Sequence, residues 1–123
     1  MKIQKELELK FKDFIDKDKS PFFCYKHDKE GNFTYLSDNI TLLLGYTPKE
    51  FQISYLSSLT PNTINKTAIF NTEDSLISGK QYEPYNLEIY DKDLNRRALY
   101  VYESPIITDN GVEGIEGIAK VLD

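Results

Sequence analysis

The sequence predicts an α+β domain built on one five-stranded antiparallel sheet, and three observations carry that expectation. The elements run in the order helix, two strands, three helices, three strands. The last three segments have strand-like alternation of side chains and are joined by turn-forming stretches. The 123 residues suit one domain with one core.

The first element spans residues 2 to about 18, where Ile3, Leu7, Phe11, Phe14 and Ile15 recur at intervals of three and four among Lys, Glu and Asp. That spacing predicts an amphipathic helix, with Leu9 off its stripe. At about 1.5 Å per residue it is roughly 25 Å long, enough to cross a whole face of the globule or to extend past it. Ser20-Pro21 ends it, because proline confines the preceding residue to extended conformations. Phe22 to His27 then reads as a strand, Asp28 to Asn32 as a turn with Gly31 supplying positive φ, and Phe33 to Leu36 as the returning strand of a hairpin.

Ser37, Asp38 and Asn39 are candidate N-caps for a short helix carrying Ile40, Leu42, Leu43 and Leu44, which Gly45 ends. Thr47-Pro48-Lys49-Glu50 has the pattern of a capping box that starts a second helix. A third, longer helix is expected from Pro61 and Asn62 to Gly79, with Ile64, Ala68, Ile69, Leu76 and Ile77 on its apolar side. Tyr85 to Tyr90, Arg97 to Glu103 and Ile115 to Leu122 read as strands, with Asp91 to Asn95 and Thr108 to Gly111 as the turns between them. In the fourth strand the two-residue period places Leu99 and Val101 on one face and Ala98, Tyr100 and Tyr102 on the other.

Composition narrows the function. Hydrophobic residues are 40% and charged residues 28% of the chain, as in ordinary folded domains. The net charge is −5 and no basic stripe is long enough to follow a phosphate backbone, which argues against nucleic acid. No apolar run approaches the roughly 20 residues of a membrane span, and the N-terminus lacks a signal-peptide apolar region, so a cytoplasmic location is expected. Cys24 is the single cysteine; it excludes an internal disulfide and a multi-thiolate metal site, and is expected to be a buried thiol. His27, the single histidine, sits beside a charged turn, where a surface or hydrogen-bonding role is expected rather than metal ligation. One His and one Cys assemble no nucleophilic triad, and Glu83, Glu88, Glu103 and Glu116 are expected to be solvated strand carboxylates. No catalytic residue and no metal site are expected, and the chain reads as a non-enzyme.

Several segments in this order resemble the PAS family. Asp28-Lys29-Glu30-Gly31-Asn32-Phe33-Thr34-Tyr35-Leu36-Ser37 resembles that family's first hairpin. Leu44-Gly45-Tyr46-Thr47-Pro48-Lys49-Glu50-Phe51 resembles its Gly-Tyr helical element. Asn86 to Asp93, Arg97, Ser104-Pro105-Ile106 and Gly114 to Ala119 resemble its last three strands. The resemblance spans residues 20 to 122, so residues 1–19 are read as an N-terminal helix and 20–123 as a PAS domain. Two departures stand out. Leu94 occupies a turn position where the family has Gly, which suggests Asn95 for the positive φ. The chain also stops at Lys120-Val121-Leu122-Asp123 instead of continuing into an Asp-Ile-Thr output motif, as an excised piece would.

The resemblance implies a sensory module of a bacterial-type signalling protein, such as a histidine kinase of a two-component system, a diguanylate cyclase or a transcriptional regulator, with the output domain elsewhere in the parent chain. It also implies a cavity between sheet and helices, with Tyr25, Tyr35, Ile40, Leu44, Leu59, Ile64, Leu87, Ile89, Leu99 and Val101 as lining candidates. These residues either fill one another's volume or enclose a small-molecule ligand. The cofactor is left unknown. Haem is disfavoured because residues 63–78 hold no His, and a covalent FMN adduct because Cys24 is on a strand outside the required helical motif. Tyr100 and Tyr102, facing away from the cavity, need cover, which the Leu7, Phe11, Phe14 stripe offers in cis or from a partner in a homodimer. The alternative function is a ligand-free dimerisation domain.

Overall fold

The computed structural model describes residues 2–51 and 55–122, with Tyr55 described by its backbone alone. Strands β1 (Phe22–Asp28), β2 (Phe33–Leu36), β3 (Tyr85–Tyr90), β4 (Arg96–Thr108) and β5 (Gly111–Val121) form one antiparallel sheet in the order β2-β1-β5-β4-β3. The last strand in sequence is therefore the central one, paired with β1 on one side and β4 on the other. This is the expected α+β architecture. Strands β4 and β5 run further than expected, because their ladder continues past Ser104 to a hairpin at Thr108 and Gly111. Pro105 is tolerated there because β3 pairs no further than Val101, so the missing N–H falls on an unpaired side of β4.

The N-terminal helix is two segments, α1 (Lys2–Lys10) and α2 (Lys12–Asp16), broken at Phe11, whose φ of −105° and ψ of 22° leave helical values. The amides of Phe11 and Ile15 still bond the carbonyls of Leu7 and Phe11 at 3.0 Å, so the break bends the chain without opening it. Both segments lie across the sheet. Leu7, Phe11 and Phe14 are buried against Cys24, Ile118, Tyr100 and Tyr102, each burial worth about 1.5–3 kcal/mol relative to exposure.

The opposite face carries α3 (Ile40–Leu44), a 3₁₀ turn (Tyr55–Ser58) and α4 (Asn65–Ser78). Gly45 and Gly79 cap α3 and α4 with φ of 86° and 74°. The capping box of Thr47 and Glu50 forms as expected, with Thr47 N–H on the Glu50 carboxylate at 2.8 Å and Glu50 N–H on the Thr47 hydroxyl at 3.1 Å. It closes a turn rather than a described helix, and residues 52–54 of the expected element lie outside the described residues.

The longest helix starts later than expected, and its inward face keeps only part of the expected apolar side: Ala68 is buried and Leu76 packs half-buried against the core. Its buried residues are Asn65, Ala68, Thr72 and Ser75, while Ile77 is 85% exposed and Ile64 42%. The buried set keeps helical spacing but is small and polar, so its packing rests on hydrogen bonds. Asn65 shows how: its amide donates to Glu88 O at 2.8 Å and accepts from Glu88 N–H at 2.8 Å, imitating a strand residue on the open edge of β3. In the β3–β4 turn, Leu94 and not Asn95 has positive φ, 66°. The Asp91 carboxylate accepts the N–H groups of both Asp93 and Asn95 at 2.9 Å, which fixes Asn95 and leaves residue 94 at the left-handed position.

Candidate functional site

A cavity of about 50 Å³ lies between the inner sheet face and α4. Its walls are mostly apolar, but a carboxylate stands in them. Glu103 of β4 is only 7% exposed, and three hydroxyls donate to it. Thr72 of α4 reaches Oε1 at 2.5 Å, Tyr85 of β3 reaches Oε1 at 2.6 Å, and Tyr25 of β1 reaches Oε2. One side chain therefore ties four elements together.

Gly117 makes this convergence possible. Tyr25, Gly117 and Glu103 stand opposite one another on β1, β5 and β4, so the Tyr25 side chain reaches Glu103 by crossing the central strand. A Cβ at residue 117 would meet Glu103 Cβ at 2.8 Å, Tyr102 O at 2.9 Å and Tyr25 Cζ at 2.9 Å. No larger residue leaves room for the crossing. Tyr25 also stacks on the His27 ring, with centroids 6.3 Å apart and 12° between planes. His27 is buried and lines the cavity, because it shares the inward register of Phe23 and Tyr25; of its two expected roles, surface or hydrogen-bonding, the structure shows the second, with Nδ1 2.8 Å from Asp28 O.

Of the lining candidates, Tyr25, Leu59, Leu87, Ile89, Leu99 and Val101 border the cavity. Ile40 and Leu44 are buried in the same core without bordering it, since α3 packs at the β1–β2 end. Two candidates are elsewhere. Tyr35 faces the other side of the sheet and packs with the N-terminal cluster, and Ile64 precedes α4 on its exposed side.

Sequence reasoning missed Glu103, Thr72, Tyr85 and Gly117. The two-residue period that turns Leu99 and Val101 inward also turns Glu103 inward, and a glycine within a strand marks close approach. Glu83 is exposed and Glu88 partly buried. Glu116 is on the outer face, bonded to Lys10 at 2.6 Å and Lys26 at 3.4 Å.

The outer face is held by more than its aromatics. Phe14 lies 5.5 Å from both Tyr100 and Tyr102, and Phe11 lies 5.5 Å from Tyr102 in an edge-on arrangement. Lys120 of β5 is 1% exposed; its ammonium donates to Phe14 O at 2.5 Å, lies 3.3 Å from Asp18 and sits 4.2 Å above the Phe14 ring. A cation at the carbonyl end of α2 complements the helix dipole. Beneath the helix, Cys24 is fully buried, and burial, with a smaller push from Glu8, raises its thiol to about 12.

Among the described residues no group of three or more His, Cys, Asp and Glu side chains is placed to hold a metal ion, and no helix is long and apolar enough to cross a membrane.

No family model and no curated protein sequence matches the chain. Solved structures do. A domain of the putative light and redox sensing histidine kinase of Haloarcula marismortui superposes with a TM-score of 0.67 at 12% identity, covering 91% of this chain and 98% of its own. The N-terminal domain of a diguanylate cyclase with PAS/PAC sensor from Marinobacter aquaeolei gives 0.69 at 16% identity, covering 82% and 94%. Drosophila melanogaster Cycle PAS-B with bound ethylene glycol gives 0.66 at 17% identity, covering 81% and 99%.

Proposed function

Starting from a chain that has the PAS fold, we propose that it is a sensory domain, which couples the state of its internal cavity to the N-terminal helix and so controls an output domain elsewhere in the parent protein. It regulates and does not itself catalyse. The observation that carries this reading is Glu103, a buried carboxylate that holds α4, β1 and β3 to β4 at the edge of a cavity. A change at that carboxylate pulls on all four elements at once. The next residue along β4, Tyr102, points to the opposite face and carries Phe11 and Phe14, so a shift of β4 reaches the helix directly.

The neighbours support the setting. Two come from proteins named as a sensing histidine kinase and a diguanylate cyclase with PAS/PAC sensor, and a third is a PAS domain with a small diol bound. A kinase or cyclase output follows as the first candidate for the parent protein.

The small cavity favours one alternative. At about 50 Å³ it is well below the roughly 300–1,000 Å³ of common ligand pockets, as in a ligand-free interaction domain. A homodimer through the N-terminal helix would use what the helix leaves exposed, Ile3 and Leu9 included, since Leu7, Phe11 and Phe14 are buried on their own sheet.

Native mass spectrometry beside a denatured control separates these readings. Added mass that denaturation releases supports the sensor. A ligand-free dimer supports the interaction domain, and a bare monomer over the whole accessible concentration range contradicts the homodimer.

A further inference from the structure

We infer that Lys120 is the release element of the N-terminal helix: its ammonium, buried only while residues 14–18 cover it, makes docking of residues 2–18 on the sheet reversible. The inference deepens the sensor reading, on which it rests for the purpose of the release, by naming the residue that sets it. Lys120 stands on the central strand β5, opposite Phe22 of β1 and Tyr100 of β4, and is 1% exposed. Among the described residues, every partner of its ammonium belongs to the N-terminal segment: Phe14 O at 2.5 Å, the Asp18 carboxylate at 3.3 Å and the Phe14 ring at 4.2 Å. The cover that buries the charge is also what pairs it.

An apolar side chain at this position would favour docking alone. An ammonium favours it only while its contacts offset the lost hydration, because a buried cation is costly unless paired and regains water once the cover lifts. Asp18 is the exposed member of the pair, its side chain 50% accessible, and a turn places it: Ser20 N–H donates to Oδ1 at 2.9 Å while Oδ2 faces Lys120. Directly after that turn the chain is fixed to the sheet, Val121 N–H donating to Pro21 O at 2.8 Å. Before it, no backbone hydrogen bond joins residues 2–20 to the sheet among the described residues. The segment is held by Leu7, Phe11 and Phe14, by the ion pair of Lys10 with Glu116 at 2.6 Å and by Lys120, so it can lift about residues 18–20 with the β-ladder intact. Phe14 joins this clasp to the inner face, since the ring beneath the ammonium also packs on Tyr102, the neighbour of Glu103 along β4.

Cys24, fully buried beneath Leu7, Phe11 and Phe14, reports the release. The test measures its labelling by iodoacetamide in the whole chain at constant pH, with hydrogen exchange of residues 2–16 in parallel and urea unfolding to give the global rate. In the unaltered chain labelling should outrun global unfolding. Asp18→Asn strands the ammonium and should speed both readouts about tenfold, the half-exposed carboxylate giving less than a fully buried partner would. Lys120→Met removes the need for a partner and should leave both readouts as slow as in the unaltered chain or slower. An ion pair that clamps the helix down requires the opposite sign, so faster labelling and exchange in Lys120→Met would overturn the proposal. Unchanged rates in Asp18→Asn, or labelling of the unaltered chain no faster than global unfolding, would overturn it too. Lys120→Leu stands in should Lys120→Met not fold, and if neither folds the proposal falls, because the ammonium then holds the fold and not its release. The sensor reading is separable from all of these results, since retention of a ligand is read from the native spectrum.

Discussion

Replacing Gly117 with alanine tests the crossing of β5 by Tyr25. The new methyl carbon would lie 2.8 Å from Glu103 Cβ, 2.9 Å from Tyr102 O and 2.9 Å from Tyr25 Cζ, all inside van der Waals contact. The backbone oxygen is fixed by the β4–β5 ladder and Glu103 Cβ by its own strand, so the Tyr25 ring is the group that gives way. Overpacking of this kind costs about 1–3 kcal/mol. Displacing Tyr25 also breaks its bond to Glu103 and leaves a buried hydroxyl unpaired, for about another 1–3 kcal/mol. Alanine returns about 0.5–1 kcal/mol because glycine is entropically poor in a strand. The net expectation is a loss of about 1–5.5 kcal/mol, or a fall in Tm of roughly 4–22 °C for a domain this size. Urea unfolding followed by far-ultraviolet circular dichroism measures it. Because the loss acts partly through Tyr25, the same change in a Tyr25→Phe background should cost less, a coupling of about 1 kcal/mol or more in the double-mutant cycle. A Gly117→Ala protein as stable as the parent, or costs that add without coupling, would refute the crossing.

Three further outcomes follow from the geometry. The Lys92 ammonium at 2.6 Å, helped by the Thr47 N–H, holds the Glu50 carboxyl down to about 2 from the ordinary 4.5; its share of stability is present above about pH 4.5 and is lost as pH falls toward 2. Carbon-13 titration of Glu50 should show that low midpoint, moving upward in Lys92→Met; an ordinary midpoint contradicts the pairing. Cys24, buried under the N-terminal helix and raised to about 12, should resist thiol reagents at neutral pH, whereas Phe14→Ala, at a cost of about 3–5 kcal/mol, should speed labelling at least tenfold; equal rates would mean that the helix does not cover the thiol. Asn65→Ala removes both bonds to the Glu88 backbone and should cost about 2–3 kcal/mol, with faster hydrogen exchange at Glu88 N–H; unchanged exchange there would contradict the strand-like role of Asn65.

The five strands, the turn glycines at 31, 45, 79 and 111 and the N-terminal stripe were legible because each follows a local rule of period or φ. The inward face of α4 was legible only in part. Apolar spacing points to Ala68 and Leu76 but equally to the exposed Ile77, while the sheet also selects Asn65 and Thr72, whose hydrogen-bonding partners Glu88 and Glu103 are distant in sequence. The same limit hid His27 and Glu103. Glu103 reads in isolation as a solvated carboxylate and His27 as either a surface or a hydrogen-bonding side chain, but strand register turns both inward. The cavity's apolar wall could be read from alternation alone. Its polar end could not, because Tyr25, Thr72, Tyr85 and Glu103 meet only through the β1-β5-β4 register and the gap at Gly117.

The coupling of cavity to helix is tested most directly by hydrogen exchange on Thr72→Val, a near-isosteric change that removes one donor from Glu103 on the inner face. Residues 2–16, on the far side of the sheet, are the readout. If β4 relays the change through Tyr102 to Phe11 and Phe14, exchange in α1 and α2 should quicken severalfold along with that in α4 and β4. Faster exchange in α4 and β4 with residues 2–16 unchanged would contradict the relay and leave the cavity without a path to the helix.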